Sequence, residues 1–78
     1  NHEFYQKNGF EPVSWCEWDD KEAPVDWRDW MDKEPIIFYK YTGIKPSTIE
    51  DASEFFNRVS ASTDYDEAEA VRDKLLGG

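Results

Sequence analysis

The spacing of apolar positions changes period along the chain, and each change marks an element. Phe4 and Tyr5 come first, then Lys7 and Gly9, and Phe10, Val13 and Trp15 follow. Asn8-Gly9 admits two structures. As a type I′ turn it makes a hairpin in which Tyr5 faces Pro12, a residue with no N–H for the ladder. As a helix end, Gly9 takes the left-handed position after a short N-terminal helix, and Lys7 sits in the last turn, where the helix dipole favours a cation. The helix uses every residue of the segment, so it is the one expected. Beyond it, Val13 and Trp15 alternate with Ser14 and Cys16, which predicts a strand over 10–18. The β-branched and aromatic run of Ile36, Ile37, Phe38, Tyr39 and Tyr41 predicts a second strand over 35–41, ending at Thr42-Gly43.

After Gly43 the period lengthens. Ile49, Ala52, Phe56 and Val59 recur at helical spacing, and Ser47-Thr48-Ile49-Glu50 reads as a capping box ahead of them. A last helix opens near Asp64, carries Ala68, Val71 and Leu75 on one side, and stops at Gly77-Gly78. The pattern predicts an α+β fold: a small antiparallel sheet with a short N-terminal helix and a C-terminal helical hairpin. Between the two strands lies a repeat. Pro12-Val13-Ser14-Trp15-Cys16-Glu17-Trp18 recurs as Pro24-Val25-Asp26-Trp27-Arg28-Asp29-Trp30, with a weaker third copy beginning at Pro35. Three short copies are too few for a solenoid. In the second copy Trp27, Trp30 and Met31 share one helical face, so a helical turn is expected over 25–33.

Length and composition narrow the picture. The 78 residues make one small domain, with a β part over 1–42 and the helical pair over 43–78. A chain this short buries only about 60% of its unfolded surface, so its aromatics carry unusual weight. Aromatic residues form 17% of it, including four Trp, which argues against disorder. The single cysteine, Cys16, has no internal disulfide partner, and a reducing cytoplasm is the simplest compartment. No apolar run approaches the roughly 18 residues of a membrane span, and no signal-peptide pattern is present. The first residue, Asn1, reads as a cut from a longer polypeptide. Net charge is −9, from eighteen acids against nine bases. Such a surface repels nucleic-acid backbones and anionic membranes, and serves either solubility or docking to a basic partner.

Most catalytic constellations are excluded on inventory alone. His2 is the only histidine and falls at a terminus expected to fray. One His and one Cys cannot make a zinc site, and no metal is expected. Asp64, Asp66 and Glu67 resemble the start of a calcium loop without its glycine, and suit helix capping better. Four Trp within sixteen residues could fill a small core or anchor an interface. Trp18 and Trp30 are the candidates for contact with a protein partner.

Two segments carry a family resemblance. Phe4-Tyr5-Gln6-Lys7-Asn8-Gly9-Phe10-Glu11-Pro12-Val13 resembles the late helix-to-strand corner of the GNAT family of N-acetyltransferases. Pro35-Ile36-Ile37-Phe38-Tyr39-Lys40-Tyr41 is similar to that family's final strand. The resemblance spans residues 2–41, about half the chain. It implies a C-terminal portion of an acetyl-CoA-dependent acetyltransferase-like domain, with Tyr5 matching the phenol that protonates the departing thiolate. A phenol of ordinary pKa near 10 is suited to that transfer. The family's pyrophosphate loop, Gln/Arg-x-x-Gly-x-Gly/Ala at a helix start, has no counterpart among Gly9, Gly43, Gly77 and Gly78. The expectation is therefore an isolated chain without cofactor or catalysis, binding acetyl-CoA only when the missing half of the domain is supplied. The alternative is a non-catalytic acidic interaction module or small inhibitor, including a nucleic-acid mimic.

Overall fold

A computed structural model describes residues 2–22, 26 and 33–77. Helix α1 (His2–Lys7) leads into strand β1 (Phe10–Cys16), and a 3₁₀ turn follows at Asp20–Glu22. Strand β2 (Ile36–Tyr41) precedes helices α2 (Ala52–Arg58) and α3 (Tyr65–Leu76). The expected α+β class, with its small antiparallel sheet, N-terminal helix and C-terminal helices, is what the chain adopts. The helical turn expected over 25–33, and with it Trp27 and Trp30, lies outside the described residues apart from positions 26 and 33.

The corner at Gly9 resolves in favour of the helix. Gly9 has φ +85°, and its amide donates to the Gln6 carbonyl at 3.1 Å. The Gly9 carbonyl then accepts from Thr42 N–H at 2.8 Å and Gly43 N–H at 3.1 Å. A side chain at Gly9 would fail twice over, since a Cβ there would lie 2.9 Å from Gly43 Cα. The glycine thus ends the helix and lets the residues after β2 close against it.

The two strands are antiparallel, pairing Phe10 with Tyr41, Pro12 with Tyr39, Ser14 with Phe38 and Cys16 with Ile36, with an irregularity between Pro12 and Ser14. In a two-stranded sheet both strands are edges, where a proline without an N–H is tolerated. The bulge sits where that proline interrupts the strand. β1 ends at Cys16, two residues short of the expected limit, and Trp18 falls beyond it.

Alternation divides the sheet into two faces. Phe38, Cys16 and Ala68 pack together with Ile36 beside them, placing α3 over one face. Ser14 Oγ donates to the Ala68 carbonyl at 2.7 Å, and the Arg72 guanidinium lies 5.4 Å from the Phe38 ring centroid. α3 therefore meets the sheet through Tyr65, Ala68 and Arg72, whereas Val71 and Leu75, expected on the packing side, are exposed. The other face holds Trp15, stacked 4.4 Å from Phe56 of α2 and donating from Nε1 to the Val59 carbonyl at 2.6 Å. Phe55 beside it is fully buried.

The helix starts follow local chemistry. α3 is capped as expected by Asp64, which accepts from Glu67 N–H at 2.9 Å, while Glu67 reaches back to Thr63 N–H at 2.8 Å. α2 departs from the sequence expectation. Its cap is Asp51, which accepts from Glu54 N–H at 3.0 Å, and the proposed box at 47–50 lies outside the helix. Glu50 is held elsewhere: its backbone pairs with the Gln6 amide and its carboxylate with Arg58.

Candidate functional site

Tyr5, the residue that the family resemblance marks, projects from α1 over the sheet face shared with α2. It remains 42% exposed, so its phenol is reachable from solvent. Its ring lies 4.8 Å from that of Tyr39 on β2 and 6.1 Å from that of Phe10 on β1. Strand alternation brings Tyr39 there, because Ile37 and Tyr39 occupy one side of β2. The helix register brings Tyr5, three residues after His2 on α1.

His2, expected at a frayed end, is instead anchored, and the structure corrects that expectation. Its Nδ1 shares a 2.6 Å hydrogen bond with Tyr39 Oη, and its ring packs 6.1 Å from that of Phe55. His2 Nε2 is buried with no hydrogen-bond partner among the described residues. Burial pushes the Tyr39 phenol up to about 12, with the Tyr5 hydroxyl adding to the shift. Tyr39 is therefore a neutral hydrogen-bonding group across the physiological range. His2, Tyr5, Ile37, Tyr39 and Phe56, with Glu34 at the rim, enclose a cleft of about 510 Å³. Its walls mix aromatic rings with the aliphatic Pro35, Ile37 and Ala52, and its polar side-chain groups are two phenols, an imidazole and one carboxylate.

A second hollow, of about 310 Å³, includes Phe10, Pro12, Ile44 and Pro46 in its lining. Its charged groups are Glu11 and the Glu50–Arg58 pair, and the pair is a two-pronged salt bridge with both contacts at 2.9 Å. That hydrogen bonding holds the Glu50 carboxyl below its usual range. This second hollow contains neither a histidine nor a tyrosine phenol.

The remaining sequence candidates separate. Trp18 is half-buried, and its Nε1 donates to Asp20 at 2.7 Å; Trp30 lies outside the described residues. Cys16 is buried on the α3 face, across the sheet from His2, so the two do not form a nucleophile–base pair. Among the described residues no group of acids, His and Cys is arranged to hold a metal ion. None of their helices is long and apolar enough to cross a membrane. Gly9 and Gly43 are consumed by the corner, and Gly77 follows the end of α3. The described residues therefore offer no glycine-rich helix start on which a pyrophosphate could rest. Neither a protein-family model, a curated protein nor a solved structure matches the chain.

Proposed function

We propose that these residues form the C-terminal portion of an acetyl-CoA-dependent N-acetyltransferase-like domain, inactive as the isolated chain. One observation supports this above the others. The two segments that carry the resemblance fold as helix, strand and strand, and α1 and β2 bring Tyr5 and Tyr39 to one cleft that α2 lines from the other side with Ala52 and Phe56. In the completed domain Tyr5 Oη is the proton donor to the leaving thiolate. His2 and Tyr39 hold the cleft wall against which Tyr5 stacks.

The test compares the 78-residue chain with a longer one that includes the gene sequence immediately upstream. Calorimetric titration with acetyl-CoA should give no heat for the former and saturable binding for the latter. In the longer chain Tyr5→Phe should keep the affinity and lower the transfer rate by about 10²–10⁴-fold. Binding by the short chain would refute the need for a second half; no binding by the longer one would refute the kinship.

A second reading, a non-catalytic acidic interaction module, draws on a different observation. Phe4, Tyr5, Phe10 and Tyr41 form a row of ring contacts with centroids 5.1–6.1 Å apart, and Phe4 and Tyr41 are well exposed. Exposed aromatics on a strongly acidic chain suit a basic protein partner. This reading predicts that Phe4→Ser and Tyr41→Ser abolish binding to such a partner while leaving the circular dichroism of the chain unchanged.

A further inference from the structure

The outer edge of β2 has no strand beside it among the described residues, whereas β1's outer edge is partly closed. Ser62 N–H donates to the Trp15 carbonyl at 2.8 Å, and Cys16 and Ser62 form a parallel bridge. Among the described residues the outward-pointing backbone N–H and C=O groups of Ile36–Tyr41 therefore have no strand partner. Such an edge is a template for another strand. Natural edges are usually blunted by prolines, bulges or several charges, but within β2 only Lys40 is charged.

We infer that this edge pairs with the same edge of a second copy, antiparallel and with Ile37 on the twofold axis. Local charge pairing sets the register with a second copy, against the net −9 that each copy carries. With Ile37 opposite itself, Glu34 of each copy stands opposite Lys40 of the other, so one axis creates two acid–base pairs. Directly opposed residues in an antiparallel pair share a face. Ile36 then meets Phe38 on the α3 face, and Pro35 meets Tyr39 on the cleft face. Glu34 is exposed and Lys40 half-buried, and among the described residues neither is engaged in an ion pair. A shift of one residue in either direction separates the charges and sets Glu34 opposite Tyr39 or Tyr41. The contact is self-complementary, as a twofold interface requires. It joins two two-stranded sheets into a continuous four-stranded one ordered β1-β2-β2-β1. Both α3 helices then lie on one side, and the two clefts become neighbours on the other. The inference does not depend on the acetyltransferase reading.

Sedimentation equilibrium of the 78-residue chain, up to about 1 mM, measures the association. The expected result is a monomer–dimer equilibrium. Glu34→Lys sets a second cation against Lys40 of the other copy, and Lys40→Glu sets acid against acid, so each change should weaken dimerisation by about tenfold or more. The double exchange Glu34→Lys with Lys40→Glu restores both pairs and should return the dissociation constant to within about threefold of the original. Glu34 precedes β2 but Lys40 lies within it, opposite Glu11 of β1, so far-ultraviolet circular dichroism and urea unfolding check that each variant, Lys40→Glu above all, is folded. A chain that stays monomeric throughout overturns the inference and leaves the edge to a strand of another polypeptide. A dimer indifferent to the single changes, or one the double exchange fails to restore, overturns it equally.

Discussion

At the scale of single residues, Tyr39 carries the most information. Its hydroxyl is bonded to His2, its ring supports Tyr5, and burial holds its phenol at about 12. A phenol whose pKa rises on folding favours the native state while it is neutral. In the unfolded chain it ionises near 10, so between about pH 10 and 12 the native state binds more protons and stability falls as pH rises. Below about pH 10 the contribution is fully present. Urea unfolding at a series of pH values should therefore show a downward slope above about pH 10 that is shallower in Tyr39→Phe. An unchanged slope in the variant would assign it to other groups. The residues of this site are unequally visible in sequence. Tyr5 is marked by its motif, because Phe-Tyr-x-Lys-x-Gly-Phe has a recognisable order. His2 is not, since its partner is thirty-seven residues away in sequence and nothing local announces a tertiary hydrogen bond.

At the scale of elements, α1 is too short to persist alone, and what holds it is specific. Gln6 is only 4% exposed. Its Nε2 donates to the Glu50 carbonyl at 2.6 Å, and its Oε1 accepts from Glu50 N–H at 3.0 Å. The side-chain amide thus pairs with a backbone amide as a strand would, tying α1 to the approach to α2. Gln6→Leu keeps the bulk but leaves both Glu50 backbone groups unpaired, which should cost about 1–3 kcal/mol in denaturant unfolding. Gly9→Ala should cost a similar amount by another route. The strain of positive φ is about 1–3 kcal/mol, and the close contact with Gly43 adds to it. Helix existence and both strands are readable from period, glycine and β-branched runs. The α2 start is misplaced by sequence because Glu50 fits a capping box locally, yet is claimed by Gln6 and Arg58 from distant elements. The α3 face is misjudged for a related reason. Ala68 allows close approach to the sheet, and the Arg72 guanidinium lies over the Phe38 ring where the pattern predicts Val71 and Leu75.

At the scale of the whole molecule, a thin core sits under a large surplus of negative charge. Its buried apolar side chains among the described residues are Pro12, Trp15, Cys16, Phe38, Phe55 and Ala68, and eighteen acids face nine bases. Two salt effects compete. Screening weakens ion pairs such as Glu3–Lys7 and Arg72–Glu69, but exposed pairs are individually worth little. It also relieves repulsion among acids that outnumber bases two to one, and that effect is spread over the whole surface. The repulsion wins. The thermal midpoint at about pH 7 should rise steadily as sodium chloride increases from about 10 mM to about 0.5 M, where the Debye length falls from about 30 Å to a few ångströms. A midpoint that falls with salt would mean that the specific pairs, Glu50–Arg58 foremost, outweigh the net charge. Arg58→Ala discriminates between these cases, because removing the pair should then abolish the fall. If repulsion dominates, the same variant starts lower and gains at least as much from added salt.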